Sequence, residues 1–215
     1  MLITFSGVDG SGKTTQLELL RAELQSRGLR CHTLWYRPGY SDTLNLARAW
    51  VRKLRPGALS KPGDRKERSR RLGRKGASEA WVTVATMDML AQYALRVRYL
   101  LATHDVVICD RYIADALLDF ELHFPDVNLG PLPAVLRNAS PRPALALLLM
   151  VPWDVSVQRL AMKDEPFPDE ESLRRVRYSR YVGMAESGGQ TLVNAEGDTA
   201  EVAQRILDLT TPLLG

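Results

Sequence analysis

Residues 7–14 read GVDGSGKT, and they follow the apolar run LITFS at residues 2–6. Three glycines within six residues are costly in ordered backbone, which indicates a geometry that side chains would obstruct. The stretch fits the pattern G-x-x-x-x-G-K-[ST], in which backbone N–H groups wrap around phosphate oxygens between a strand and a helix. The sequence therefore predicts a phosphate-binding loop that joins a first strand to a first helix.

The loop residues have distinct predicted tasks. Lys13 would reach the β- and γ-phosphates of a nucleoside triphosphate, and the hydroxyl group of Thr14 would hold Mg²⁺. The N-terminus of the following helix would add the positive end of its dipole. We expect the nucleotide to contact Gly7, Val8, Asp9, Gly10, Ser11, Gly12, Lys13, Thr14 and Thr15. The motif predicts triphosphate binding and leaves open what happens to the triphosphate.

Short apolar runs alternate with segments of helical spacing along the rest of the chain. Strands are predicted at residues 2–6, 31–36, 105–110, 145–151 and 191–195. Helices are predicted at residues 14–27, 41–54, 77–103, 113–124, 133–138, 154–162, 171–185 and 199–209, the first with Leu17, Leu20 and Leu24 on one face and Gly28 after its end. This alternation predicts an α/β protein with a five-stranded parallel sheet and helices on both faces, the three-layer arrangement of P-loop NTPases. The 215 residues are interpreted as a single domain, 1–215, with a basic insertion at 52–76 and a short lid at 162–171.

The composition, 45% hydrophobic and 25% charged, is that of a soluble globular protein. The longest apolar run, ALALLLMVPW at 144–153, is too short to span a bilayer, and Gly7 and Asp9 interrupt any signal peptide. Two cysteines, Cys31 and Cys109, lie in apolar stretches and predict a reducing compartment without a disulfide framework. These features favour a cytoplasmic protein without a transmembrane segment.

Two further motifs follow predicted strands. In VVICDRY, Asp110 ends a strand, where an acid in a phosphate-loop protein can anchor Mg²⁺, although it could also be an ordinary helix cap. In YRPGY, Arg37 follows the second strand, and the alternative is a plain surface turn. Because ligands gather at the carboxyl ends of strands, Arg37 and Arg111 could clamp a second phosphate bidentately. The predicted metal ligands are Thr14 and Asp110.

Charge is concentrated in residues 48–75, which contain twelve Lys or Arg and two acids. Such a segment is either a docking surface for an anionic partner or a solvated loop. No aromatic residue lies between Arg52 and Ala80, which argues against base stacking and therefore against a nucleic-acid partner. Help from these basic residues in gripping a phosphorylated acceptor remains an alternative.

The order GVDGSGKTT, then RPG after strand two, then DRY after strand three resembles the thymidylate kinases, which belong to the nucleoside-monophosphate kinases. The stretches LLLMVPWDVSVQRL, LRRVRYSRYVGMA and VNAEGDTAEVAQRI are also similar to segments of that family. The resemblance implies ATP- and Mg²⁺-dependent phosphoryl transfer to a small acceptor, most simply a (deoxy)nucleoside monophosphate. It also implies a homodimer that forms through the long helices.

Carried over by position, the resemblance gives roles to four side chains. Asp9 would lie near the reacting phosphate, between donor and acceptor. Arg37 and Arg111 would grip the acceptor phosphate, and Arg159 would lie against the donor adenine. The catalytic set implied in this way is Lys13, Asp9, Arg37 and Arg111.

The sequence departs from the family where the nucleoside would be recognised. Met89 stands at the position of a base-binding arginine, and YRPG replaces the usual REPG. Where the family has a serine and a tyrosine–glutamine pair, this chain has Asp115, Asp119 and Phe120, and its lid offers only Lys163. The phosphate-handling motifs therefore match while the identity of the acceptor stays open.

Three other functions remain open. A kinase for a hydroxyl acceptor, such as a nucleoside or a sugar, would need a general base, which Asp9, Asp115 or Asp119 could supply. A GTPase switch is disfavoured because the sequence contains no N-K-x-D motif. A nucleotide-binding module without kinase activity is disfavoured by intact Lys13, Thr14 and Asp110.

Overall fold

The computed structural model describes residues 1–36, 75–162 and 169–214. Arg37, the helix predicted at 41–54, nearly all of the predicted basic insertion and the centre of the predicted lid lie outside the described residues. The last two residues assigned to the insertion, 75–76, belong to a helix instead. The strands are β1 (Leu2–Gly7), β2 (Cys31–Trp35), β3 (Val106–Asp110), β4 (Leu145–Met150) and β5 (Thr191–Asn194).

The five strands form one parallel sheet in the order β2-β3-β1-β4-β5. The central strand β1 pairs Phe5 with Asp110 of β3 and Gly7 with Leu149 of β4. Since all strands run in the same direction, the segments that follow β1, β3 and β4 meet at one edge. This edge brings the glycine-rich loop and Asp110 together.

The described helices surround this sheet, and most of their ends lie within one or two residues of the predicted ends. A π-helical segment, Leu90–Arg96, joins the helices Lys75–Met89 and Val97–Thr103. The stretch predicted as one helix at 77–103 is therefore helical throughout, but its middle is π-helical. In chain order the helices are α1 (Lys13–Ser26), α2 (Lys75–Met89), α3 (Val97–Thr103), α4 (Ile113–His123), α5 (Leu132–Ala139), α6 (Trp153–Ala161), α7 (Glu171–Glu186) and α8 (Thr199–Thr210).

Apolar side chains fill both faces of the sheet. On one face Ile3 and Phe5 of β1 pack in a cluster with Leu20 of α1 and Ile206 of α8. On the other face Leu2 belongs to a second cluster, which contains residues of α2, α3 and α4. Successive residues of a strand point to opposite faces, so β1 supplies both clusters. The predicted three-layer α/β fold with a five-stranded parallel sheet is confirmed.

The spacing of leucines in α1 explains how that helix is held. Leu17, Leu20 and Leu24 are all buried, as their intervals of three and four residues predict for one helix face. Gly28 follows the helix with a φ of +83°, and its N–H donates to Gln25 O at 2.9 Å. None of the helices in the described ranges combines the length and apolar character that crossing a membrane requires.

Candidate active site

Glycine is required in the loop because of close backbone contacts. Gly7 has a φ of +141°, and a Cβ atom there would lie 2.1 Å from Leu149 O. At Gly10, with a φ of +78°, a Cβ would lie 2.8 Å from Ser156 O. Both neighbours are backbone atoms of other elements and cannot rotate away. These contacts supply the reason for the glycines that lead the sequence motif.

Lys13 begins α1 and folds back over the loop. Its Nζ donates hydrogen bonds to Gly7 O at 2.9 Å and Val8 O at 2.8 Å. The pKa of Lys13 is lowered to about 8, mainly by burial and then by the positive charge of Arg111, while Asp9, Asp110 and Asp115 act in the opposite direction. Within the described part of the chain the hydrogen bonds of the ammonium group go to backbone carbonyls of the loop, so it is positioned as a phosphate-binding cation should be.

The loop is also fixed from elements far away in the sequence. Ser156 of α6 donates its hydroxyl to Asp9 O at 2.6 Å. Arg159, one turn further along α6, donates to Gly10 O at 3.4 Å and to Ala195 O at 3.2 Å. A cleft of about 300 Å³ opens beside the loop and is lined by Gly10, Ser11, Arg159, Ala195 and Thr199 among others. Arg159 thus both contacts the loop and lines this cleft.

Asp110 lies at the carboxyl end of β3. Its Oδ1 is buried and has no hydrogen-bond partner among the described residues. Burial raises the pKa of Asp110, while nearby Lys13 and Arg111 act in the opposite direction. Thr14 is exposed in the first turn of α1, so its hydroxyl is accessible. An unpaired buried carboxylate oxygen suits Mg²⁺, which binds through one or two carboxylates and keeps several waters.

Within the described ranges no group of three or more His, Cys, Asp or Glu side chains is arranged to hold a metal. A structural metal cage is therefore absent from that part of the molecule. A magnesium ion that is bound mainly by phosphates and water does not require one.

Arg111 follows Asp110 with an unusual backbone. Its φ of +70° makes it the one non-glycine residue with positive φ in the described part of the chain. Its N–H donates to Phe5 O at 2.9 Å, which joins the β1 and β3 ends. Its Nη2 lies 3.3 Å from Asp9 Oδ1. The structure thus brings Arg111 and Asp9 together, while Arg37 lies outside the described residues.

A buried polar network behind Arg111 was not predicted from the sequence. Asp115 accepts hydrogen bonds from Ser6 Oγ at 2.6 Å, from Tyr181 Oη at 2.7 Å and from the Tyr112 N–H at 3.1 Å. Arg111 Nη1 lies 3.4 Å from Tyr181 Oη, and it is also within an ion-pair distance of 4.0 Å from Asp115. Burial alone would lower the pKa of Arg111, but Tyr181, Asp115 and Asp9 together raise it.

This network bears on the alternative in which a carboxylate acts as a general base. Asp115 is 1% exposed and already accepts three hydrogen bonds. Asp119 is also buried, and it pairs with Arg177 of α7. Neither carboxylate is placed to take a proton from a hydroxyl group in the open crevice. Of the three candidate bases, Asp9 is the one that belongs to the loop.

The sequence did contain a signal for the α7 residues, namely Arg174, Arg177, Tyr178 and Tyr181 at helical intervals of three and four. A stripe of this spacing normally packs into a core and is apolar. Here it is polar, and Arg177 and Tyr181 are buried. A polar stripe on the inward face therefore indicates a helix that lines a site.

The positions that depart from the family pattern lie in the interior. Met89 is fully buried and belongs to the second apolar cluster, together with Tyr93 and Phe120. Next to Met89, Asp88 accepts a hydrogen bond from Tyr36 Oη at 2.8 Å. Met89 thus serves packing where the family places a base-binding arginine, and it offers no polar group to a base.

Comparison with known proteins finds full-length relatives. A probable thymidylate kinase of Methanothermobacter thermautotrophicus is 28% identical, over 100% of this chain and 96% of its own length. A thymidylate kinase of Synechococcus sp. is 26% identical over 100% of this chain and 96% of its own. A probable thymidylate kinase of Pyrococcus horikoshii is 28% identical over 96% and 94%, respectively. No protein-family model matches the chain.

The relatives extend over the sheet, the loop and the α7 stripe alike, so the likeness is not restricted to the phosphate-binding motif. The parallel sheet and the glycine-rich loop agree with this likeness, and the chain is similar to thymidylate kinases over its whole length.

Proposed function

We propose that the protein is an ATP-dependent kinase whose acceptor is a (deoxy)nucleoside monophosphate. The observation that carries this proposal is the loop itself, with Lys13 held over it by Gly7 O and Val8 O and Asp110 beside it. In the reaction, the bond between the γ-phosphorus and the bridging oxygen of ATP breaks. A new bond forms from that phosphorus to an oxygen of the acceptor phosphate, and ADP leaves with the electron pair.

Binding of the donor would use the residues around the loop. Lys13 would exchange its bonds to backbone carbonyls for the β- and γ-phosphates, and the loop N–H groups would hold the remaining oxygens. Asp110 and Thr14 would hold Mg²⁺, which supplies neutralising charge to the phosphates when bound. Arg159 borders the cleft of about 300 Å³, where we place the adenine.

The acceptor would bind on the side of Asp9 that faces away from the donor. Arg111 would grip the acceptor phosphate and Arg37 is proposed as its partner, because guanidinium groups bind phosphate bidentately. The oxygen of a monophosphate is already anionic, so the attack needs no strong base. The engagement of Asp115 in three hydrogen bonds agrees with that chemistry. Closure over the site, proposed for residues 162–171, would exclude water.

The test is an ADP-release assay with ATP and Mg²⁺ against a panel of acceptors. The panel contains the common nucleoside and deoxynucleoside monophosphates, thymidylate among them, several nucleosides, sugars and sugar phosphates. Wild-type protein is compared with Lys13→Ala and with Arg180→Gln, which changes an exposed residue of α7. We expect one monophosphate to be turned over far above background hydrolysis by wild type and Arg180→Gln, but not by Lys13→Ala.

Other outcomes separate the alternatives. Turnover of a nucleoside or sugar without turnover of any monophosphate would assign the site to a hydroxyl acceptor. Nucleotide binding without turnover of any compound would contradict the kinase and support a nucleotide-binding module.

We further propose that two copies associate through the long helical stretch of α2, the π segment and α3. Its exposed side has apolar residues at intervals of three, eight and four, namely Val84, Met87, Leu95 and Tyr99. Met87, Leu95 and Tyr99 are each about two-thirds exposed, at 66%, 69% and 67%. Exposed apolar residues that follow one side of a helical stretch in this way are typical of an interface.

The oligomeric state tests this association. Light scattering after size-exclusion chromatography should give the mass of two chains for wild type and of one chain for Leu95→Glu. Val176→Glu changes an exposed apolar residue of α7 and should leave the dimer intact. A monomeric wild type at micromolar concentration would contradict the proposal.

A cytoplasmic location is proposed with this function, because ATP is supplied there. Cys31 and Cys109 are both unpaired thiols, which suits a reducing compartment. The absence of a nucleic-acid partner stays a prediction from the sequence of the basic segment.

A further inference from the structure

The guanidinium group of Arg111 is held on one side by a hydroxyl group of α7. Its Nη1 donates to Tyr181 Oη at 3.4 Å, while its Nη2 lies 3.3 Å from Asp9 Oδ1. The side chain is 16% exposed, so it still reaches the crevice around the loop. Because the backbone of Arg111 has a φ of +70°, which a non-glycine residue rarely adopts, its neighbours must hold it there. The orientation of Arg111 therefore depends on what holds Tyr181.

Tyr181 is in turn held by Asp115. Its hydroxyl group donates to Asp115 Oδ1 at 2.7 Å, and both side chains are buried. Burial and the neighbouring carboxylate raise the pKa of Tyr181 well above its ordinary value, so the hydroxyl group keeps its proton. The same oxygen atom can then donate to Asp115 and accept from Arg111. Tyr181 thus connects a guanidinium group at the crevice to a carboxylate in the interior.

The carboxylate of Asp115 is itself fixed by donors from other parts of the chain. Its Oδ2 accepts from Ser6 Oγ of β1 at 2.6 Å and from the Tyr112 N–H before α4 at 3.1 Å. Gln190, which precedes β5, donates from Nε2 to Ser6 Oγ at 3.0 Å. Donors from these separate elements leave Asp115 little freedom to move, so it can hold the hydroxyl group of Tyr181 in one place.

The charge of Asp115 acts on Arg111 without blocking it. Arg111 Nη1 lies 4.0 Å from Asp115 Oδ1, so the two charges attract each other beside Tyr181 without a direct hydrogen bond. A direct bidentate pair would occupy the two donors that a guanidinium group offers to a phosphate. A buried carboxylate is also weak evidence for stability, because removing its charge from water is costly. The arrangement therefore favours a role in orienting Arg111 over a role in packing.

We propose that Asp115 is a positioning residue, which acts through Tyr181 to hold Arg111 in the orientation that binds the acceptor phosphate. This proposal rests on the kinase function proposed above, in which Arg111 contacts the acceptor. Asp115 is 1% exposed and accepts three hydrogen bonds, so it would not touch the substrate itself. Since the thymidylate kinases have a serine at this position, the carboxylate is a device of this chain and not of the family pattern.

The first measurement records the guanidinium signals of the arginines by NMR in isotope-labelled protein. A guanidinium group that is held at both amino groups rotates slowly about its Cζ–Nε bond and gives separate Nη signals. The Arg111 signals are assigned by their loss in Arg111→Lys. We expect them to be separate in wild type and averaged in Asp115→Asn and Tyr181→Phe. Thr210→Val removes a buried hydroxyl group at the far end of α8 and should leave them separate.

The second measurement is steady-state kinetics with the acceptor that the panel identifies. We expect Asp115→Asn and Tyr181→Phe each to raise the KM of the acceptor about fivefold or more, while the KM of ATP changes less than twofold. The double variant should show no more than the larger single effect, because both residues act through one contact. In an Arg111→Lys background, Asp115→Asn should not change the acceptor KM further. Thr210→Val should leave both KM values unchanged.

Separate Arg111 signals in both variants would overturn the proposal. Averaged signals with an unchanged acceptor KM would also overturn it, as would equal rises in the KM values of acceptor and ATP, which would mean that Asp115 supports the site as a whole. If Asp115→Asn does not fold, Tyr181→Phe decides, because it keeps the carboxylate and removes one hydroxyl group. The NMR comparison needs no acceptor, so failure of the kinase assay and failure of the positioning proposal are distinguishable.

Discussion

At the scale of single residues, Lys13 is charged in a place where water solvates it poorly. Its pKa of about 8, against the ordinary 10.5, follows mainly from burial. A bound triphosphate would favour the charged form and raise the pKa again. Between about pH 8 and 10.5 the free protein therefore lacks a proton that the complex holds. We predict that ATP binding takes up close to one proton near pH 9 and little at pH 7.

Calorimetry in buffers of different ionisation enthalpy measures this uptake. Lys13→Ala should show none at either pH, and an uptake in wild type that does not depend on pH would contradict the assignment. The same shift acts on stability. Below about pH 8 the charged, buried Lys13 costs the folded state free energy, and this cost declines as the pH rises towards 10.5, because there the unfolded chain binds more protons.

Replacing Asp110 should lower the activity of the protein and raise its stability. Burial raises its pKa, so at neutral pH its charge destabilises the folded protein. Asn is neutral and of similar shape, so Asp110→Asn should raise the melting temperature by a few degrees, while turnover falls about tenfold or more and the Mg²⁺ requirement increases. Differential scanning calorimetry and Mg²⁺ titrations of activity measure both effects. A lower melting temperature with normal activity would mean that Asp110 is structural.

Sequence patterns predicted the site residues that belong to local motifs, but they did not predict the contacts that form only in the folded protein. Lys13 and Thr14 belong to a local motif whose spacing alone defines the loop. Asp110 was predicted because a strand end is recognisable from the neighbouring residues. Asp115 and Tyr181 were not linked, because they are 66 residues apart and meet only after α7 packs on α4. Contacts of that kind depend on tertiary packing, which local patterns do not contain.

At the scale of elements, α7 offers a matched pair of glycines. Gly183 lies within the helix, and a Cβ there would meet nothing within 4 Å. Ala loses less backbone entropy than Gly in a helix, so Gly183→Ala should stabilise the protein by about 1 kcal/mol. Gly188 follows the helix with a φ of +69°, also in open space. Gly188→Ala should destabilise by about 1 kcal/mol, because an alanine is strained in that conformation.

Urea unfolding of the two variants and wild type measures these differences. A Cβ atom would meet no neighbour at either site, so the difference in backbone conformation should decide whether alanine raises or lowers the free energy of unfolding. If both substitutions changed the free energy of unfolding in the same direction, Gly183 would not be helical or Gly188 would not have a positive φ.

Element boundaries were predicted closely wherever apolar spacing and breakers agree, as in α1 with its three leucines and Gly28. The π segment Leu90–Arg96 was not predicted, because its residues are good helix formers and spacing does not separate a π from an α turn over so short a length. The segment lies between α2 and α3, where the buried Tyr93 packs against Tyr36 and Tyr112.

At the scale of the whole molecule, topology explains why the site forms. The alternation of strands and helices predicted a parallel sheet, but the order β2-β3-β1-β4-β5 could not be read from local spacing. That order places β1 between β3 and β4, so the loop after β1 is flanked by Asp110 and by the segment that leads to Ser156. The sheet thus brings the loop after β1, the end of β3 and the segment after β4 together around one crevice.

Since nucleotide would contact α1, α6 and the β1 and β3 ends together, it should stabilise the whole fold. A ligand that binds only the folded state at 100 times its Kd adds about 2.7 kcal/mol, which corresponds to about 5–10 °C for a chain of this size. We predict such an increase for wild type with ATP and Mg²⁺ in thermal denaturation, and a much smaller one for Lys13→Ala. Gly183→Ala serves as control and should shift by the wild-type amount. A wild type whose melting temperature stays constant up to millimolar ATP would exclude the loop as a nucleotide site.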